Sequence, residues 1–338
     1  MTTEEALTHV RSPSLDGAAG TIRPLTERVL ARLGRPRLFW MLAWGVLAFA
    51  AYEVSLRVFR LPTYPGRMVA VGSAYVNLLA LWGIAKVTAD LKAIRPLVQR
   101  LTEGTVGTNV WPFHAVASVA GPVAIGLIMT IIWNVVDFVR YPGPGTAVLI
   151  PVMFAAWLPA EAALWVFGAL LVGLHRLGRE SLHLIPFEED RSLGVRPLRS
   201  VAFTSFVVLT AALLPLLATQ WRDPRGAISN LLTFLGFVAL FFVSLHGLHR
   251  QMVTAKAAAL QQARRLYVEA FGPIRARWSL DITVEQVARL SAAEVVERRA
   301  AAIQEWPLDE GLLARLAAIV TSVVGVILAR LILSRFGL

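Results

Sequence analysis

Residues 230–271 read NLLTFLGFVALFFVSLHGLHRQMVTAKAAALQQARRLYVEAF, and this one stretch carries two kinds of helix in succession. From position 230 to 249 there is no Asp, Glu, Lys or Arg. That is about 20 residues, which at about 1.5 Å of rise per residue matches the thickness of a bilayer's hydrocarbon core. From Arg250 onward the composition turns to Gln, Ala, Lys, Arg and Glu, all strong helix formers, with no breaker before Gly272 and Pro273. A helix that starts in lipid is therefore predicted to continue into water as a rod.

The rest of the chain agrees with a membrane reading. Its 338 residues are 56% hydrophobic and only 16% charged, with a mean hydropathy of +0.61. A soluble globular fold is not expected on those figures, and an all-α polytopic transmembrane bundle is the expected class. Apolar runs predict seven spans, near 38–59, 68–88, 114–138, 147–174, 201–219, 230–250 and 311–334. The breaker-rich segments RLPTYPGR (60–67), RYPGPGT (140–146) and QWRDPRG (220–226) form the short connections. The remaining connections, 89–113, 175–200 and 251–310, are long and charged.

Orientation follows from Lys and Arg, which are retained on the cytoplasmic side during insertion. Residues 1–37, 89–113, 175–200 and 250–310 hold 23 of these residues, against six on the other side: Arg60, Arg67, Arg140, Arg222, Arg225 and Arg335. The N-terminus is expected in the cytoplasm and, after seven spans, the C-terminus outside. The organisation predicted is a polar, partly disordered cytoplasmic segment (1–37), a six-span bundle (38–250), a cytoplasmic helical hairpin (251–310) and a seventh span (311–338). The second hairpin helix fits 283–305, capped by Asp281 or Thr283, with a stripe of Ile282, Val287, Leu290, Val295 and Ile303. That stripe is expected to pack on the 89–113 and 175–200 segments or on a sister subunit. The net charge of +11 sits mostly in loops beside spans, which accounts for it through orientation and headgroup contact without nucleic acid. With no cysteine, disulfides and thiolate metal sites are excluded. No cleaved secretory signal is expected, because the first 37 residues have no apolar h-region.

Ionisable residues inside apolar spans are the candidates for function, because burying them in lipid costs a few kcal/mol. Glu161 is the foremost, predicted to lie in the inner half of the fourth span with Pro159 loosening the carbonyl of Ala155 beside it. By depth, Lys86, His246 and Arg315 are its possible partners. The set reads either as a proton or cation site at a kinked helix or as a structural ion pair. An outer polar level comprises Glu53, Arg57, Asn134, Asp137 and Arg330, either a vestibule or side chains snorkelling to water. In the seventh span Ala317, Thr321, Gly325 and Ala329 recur every four residues, a face for close helix packing or for lining a pore. Pro122, Pro151 and Pro215 are possible kinks in other spans. His246 and His249 lie on one helical face and are candidate metal or haem ligands, although no cofactor is expected overall. The chain has no HExxH, P-loop, Rossmann or nucleophile-elbow motif.

Two segments, IPFEEDRSLGVRPLRSVAF (185–203) and IQEWPLDEGLLARLAAIV (303–320), resemble recurring elements of an uncharacterised family of multi-pass bacterial membrane proteins. That resemblance implies a bacterial plasma membrane and no particular activity; 30 arginines against three lysines suggest a GC-rich genome. The order of elements is similar to that of the insect gustatory and odorant receptor-like channels: seven spans, a prolonged sixth helix, a cytoplasmic helix and a last span ending outside. In those tetrameric cation channels the last span lines the pore. Their final-span Thr-Tyr and Gln-Phe signature is absent here, where Thr321 is followed by Ser322. The expected function is an oligomeric ion channel or transporter with a polar site at Glu161. The alternatives are a sensor or scaffold acting through its cytoplasmic helices on a protein partner, and a histidine-based metal or haem protein.

Overall fold

A computed structural model describes residues 23–34, 36–58, 66–102, 112–140, 143–186, 190, 192–219, 224–277 and 283–335. Residues 1–22, most of the predicted polar N-terminal segment, lie outside the described residues, as do Asp281 and Ile282. Every regular element among the described residues is helical: α1 (Leu25–Arg32), α2 (Arg37–Val58), α3 (Gly66–Thr102), α4 (Ala120–Arg140), α5 (Pro144–Leu177), α6 (Arg196–Thr219), α7 (Pro224–Arg277), α8 (Val284–Ala301) and α9 (Glu310–Arg335). Four stretches, Val71–Thr102, Ile150–Leu177, Leu231–Gly272 and Glu310–Ala329, are long and apolar enough to cross a membrane. Arg37–Ala51 and Ala120–Ile132 are shorter apolar helices.

Three helices are much longer than a bilayer requires. With 37, 34 and 54 residues, α3, α5 and α7 span about 55, 50 and 80 Å at the standard rise. The connection expected over 89–113 is thus helical as far as Thr102. Its sparse charges, Lys92, Arg95 and Arg100, flank an inward row of Leu91, Ile94, Val98 and Leu101 that is buried at helical spacing. Likewise α7 runs through Gly272 and Pro273 to Arg277 instead of stopping there. At the other boundary, α4 starts at Ala120 and not at 114. A short 3-10 turn (His114–Ala117) precedes it, and the Ser118 hydroxyl accepts from the Gly121 amide at 3.2 Å. Pro122 consequently falls in the first turn, where its missing N–H has no partner to lose, so it does not kink the helix. Pro151 and Pro159 lie within α5.

α3 packs between α2 and α6, while α5 touches α2, α3, α4, α6 and α7. Gly83 of α3 faces Val208 of α6 and Phe167 of α5, marking the three-helix crossing. A single apolar core runs from there into the extended ends, through Leu174, Leu177, Leu198, Leu245, Leu248 and Met252. The helices approach closest where Gly178, which ends α5, meets Gly247 of α7. A Cβ on Gly247 would sit 2.7 Å from the Gly178 carbonyl oxygen, so no larger residue fits. Gln251 fastens the same joint: its side-chain amide donates to Gly178 O (2.8 Å) and Glu180 O (2.5 Å), and its carbonyl accepts from Leu182 N (3.3 Å).

The following loop closes on Asp190. Burial raises the carboxyl's pKa, yet hydrogen bonds from the Ser192 hydroxyl (2.6 Å), the Ser192 amide (2.9 Å) and the Gly194 amide (3.0 Å), with the charge of Arg196, leave it below the usual carboxylate value.

α8 folds back on α7's own extension. Thr283 caps it through a capping box with Gln286. The inward residues are Ala293, Ala300 and partly Leu290 and Val296; Val287 and Val295, expected inside, are exposed. Small alanines at the contact let the two helices lie close, and this leaves the larger valines outside. Beyond α8, Ile303 is buried and Glu305 pairs with Lys256 at 3.1 Å. Asp309 caps α9 at Leu312 N (2.8 Å) and pairs with Arg199 of α6 at 2.8 Å.

Candidate functional site

Glu161 sits in the middle of α5, half a turn past Pro159, with only 7% of its surface exposed. Its carboxyl group occupies a notch created by Gly126 on α4, where a Cβ would overlap Oε2 and come within 2.7 Å of the Phe154 ring. One turn further along α5, Trp165 covers Gly121 and donates from Nε1 to the Ala115 carbonyl at 2.9 Å. The α4–α5 pair is thus moulded around this carboxyl by two glycines, and among the described residues Oε2 has no hydrogen-bond partner.

None of the three basic residues expected at Glu161 reaches it. Lys86 pairs with Asp90 at 2.7 Å along its own helix and is half exposed, because it falls on the outward row Trp82, Lys86, Ala89 and Ala93. His246 is exposed beside the buried Leu245 and Leu248, and Arg315 is exposed next to the inward Leu316. Each lies one helical step, about 100° of rotation, away from the buried face of its helix. The ion-pair reading of Glu161 is corrected accordingly: among the described residues it is a buried carboxyl without a cation.

A residue missed from the sequence is Asn77 of α3. Asn77 is fully buried (0%), its amide donates to Ser73 O at 2.9 Å, and its Oδ1 has no partner among the described residues. The signal available beforehand was a lone Asn in an apolar run. Glu161 Oε2 and Asn77 Oδ1 are each a buried acceptor without a donor among the described residues, and a lone buried carboxyl oxygen suits a proton or a small hard cation.

The other candidates are placed elsewhere. Glu53 is half-buried on α2; Arg57, Asn134, Asp137 and Arg330 fall on helices, but their side chains lie outside the described residues, so no outer vestibule is visible. Ala317, Thr321, Gly325 and Ala329 all face outward, because α9 turns Leu316, Val323 and Ile327 toward the bundle. Nothing lies within 4 Å of where a Gly325 Cβ would be. His249 stacks on Trp306 (ring centroids 4.1 Å apart, 16° between planes), and its Nδ1 meets Glu305 O at 2.8 Å. That contact requires the proton on Nδ1, since a carbonyl only accepts. His246 lies 6.2 Å away, and no group of three or more potential metal ligands occurs among the described residues. His249 thus joins α7 to the segment before α9, while His246 stays exposed on α7.

No family model, no curated protein and no solved structure matches this chain.

Proposed function

We infer that this chain is an oligomeric ion channel or transporter of the plasma membrane, threaded seven times, N-terminus inside, with Glu161 as its polar site. The observation that carries the reading is the Glu161 carboxyl, 7% exposed in an apolar helix and lacking a partner on Oε2 among the described residues. A lone carboxylate in such surroundings calls for a counter-charge, and a proton or cation passing through supplies one. Placing the six basic outer residues opposite the extended ends of α3, α5 and α7 makes those ends cytoplasmic. The outward small-residue face of α9 supports assembly, since helices in lipid meet through such faces. Purified protein in liposomes tests this with proton- and cation-sensitive dyes. Flux in the wild type that disappears in Glu161→Gln is expected; a wild type that moves no proton or alkali cation removes the proposal.

A second reading has its own observation. The α7–α8 hairpin stands about 40 Å beyond the last apolar turn of α7, counting the residues from Arg250 to Arg277, and suits a protein-binding arm. Deleting 251–305 and comparing co-purifying proteins with the intact chain separates scaffold from channel; identical partners dispose of the arm.

A further inference from the structure

Between Arg23 and Phe39 the chain holds five arginines and one glutamate, and the fold places Arg23, Arg28, Arg32 and Arg37 on the surface. α1 buries Thr26 and Leu30 against the bundle. Its outward side carries two adjacent rows at four-residue spacing: Arg28 with Arg32, and Val29 with Leu33, all exposed. The lone acid, Glu27, is neutralised by Arg37 at 2.6 Å, which also ties α1 to the start of α2. Arg28 is held in place by carbonyls alone, donating from Nε to Arg23 O and from Nη2 to Ala117 O, both at 2.8 Å. Its charge is therefore oriented but not cancelled.

The apolar row does not end with α1. It runs into Leu38 (65% exposed), Phe39 (51%), Leu42 and Val46, the outward face of α2, an apolar helix. A surface that is continuously apolar along a spanning helix and then divides into one apolar and one cationic row marks a bilayer interface.

We propose that α1 is an interfacial helix that captures an anionic phospholipid, the phosphate between Arg28 and Arg32 and the upper acyl chain along Val29 and Leu33. Charge complementarity selects the anionic headgroup, and continuity with the α2 face selects a lipid over a soluble phosphate. The inference rests on the membrane reading of α2.

The test titrates detergent-solubilised full-length protein with short-chain phosphatidylglycerol, phosphatidylcholine or glycerol phosphate and counts adducts by native mass spectrometry. Phosphatidylglycerol should bind in preference to the other two. Arg32→Gln, which removes no contact to the bundle, should weaken that binding about fivefold, and Arg28→Gln/Arg32→Gln about fivefold more. Arg289→Gln/Arg299→Gln, which removes as much charge from α8, should leave it unchanged. Equal binding by the wild type and Arg32→Gln overturns the proposal, as does an equal loss in the α8 variant, or glycerol phosphate binding as tightly as the lipid. Wild-type protein that stays monodisperse without detergent would instead sink the membrane reading, and this site with it.

Discussion

Replacing Glu161 by Met should make the protein more stable and inactive at once. The wild-type side chain places a carboxyl oxygen in the Gly126 notch with no hydrogen bond, at 7% exposure. A buried polar atom left unpaired costs about 1–3 kcal/mol. Met has nearly the same length and flexibility, so its terminal atoms fill the notch with a repacking penalty below about 1.5 kcal/mol. The balance is a gain of about 1 kcal/mol. Gly126→Ala works in the opposite sense: the new methyl meets Glu161 and the Phe154 ring, 2.7 Å away, and should cost about 1–3 kcal/mol. In the double variant Gly126→Ala/Glu161→Ala the carboxyl is gone, and at least about 0.5 kcal/mol of that penalty should disappear. Unfolding in SDS–detergent mixed micelles, followed by the fluorescence of tryptophans including Trp165, gives the free energies of the wild type, Glu161→Met, Gly126→Ala, Glu161→Ala and the double variant, and liposome flux gives the activity. A Met variant less stable than wild type by more than about 1 kcal/mol, or strictly additive free energies in the double variant, would refute the picture of an unpartnered carboxyl in a glycine notch.

Three further outcomes follow from the same packing. Gly247→Ala should cost about 3 kcal/mol and lower the thermal midpoint, because the methyl meets backbone atoms of Gly178 that no rotamer change can move. Gln251→Ala removes three hydrogen bonds to the 178–182 segment and should destabilise by about 2–3 kcal/mol, with faster amide exchange at Leu182 as the local signature. Asp190, whose folded pKa is lowered, contributes stability that is present above its ordinary value of 3.8 and is lost as the pH falls below it. Exchange at the Ser192 and Gly194 amides should therefore accelerate, beyond its intrinsic pH dependence, on acidification through that value in the wild type but not in Asp190→Asn.

Much of this architecture was legible in the one-dimensional pattern, and the parts that were not share a cause. Lipid-length apolar runs, the rod past Arg250 and the Thr283 cap are local properties, set by hydropathy over about 20 residues or by one side chain within a turn, and α2, α5, α7 and α8 appear where they were expected. Position along a helix is local too: counting residues puts Glu161, Lys86 and His246 within α5, α3 and α7. Rotation about the helix axis is not. In a chain apolar on every side, hydropathy does not distinguish a face turned to lipid from one turned to protein, so which neighbours a residue meets is decided by packing. This explains why Lys86, His246 and Arg315 face away from Glu161, and why the burial of Asn77 was not legible beforehand. It also explains why α3 passes beyond residue 88: the buried row from Leu91 to Leu101 gains its meaning from the α5 and α6 surfaces it covers. The amino-acid order by itself determined which stretches are helical and apolar enough to cross a membrane; tertiary structure decided how far the helices run and their azimuths, because only contact between helices breaks the rotational degeneracy that a uniformly apolar cylinder leaves open.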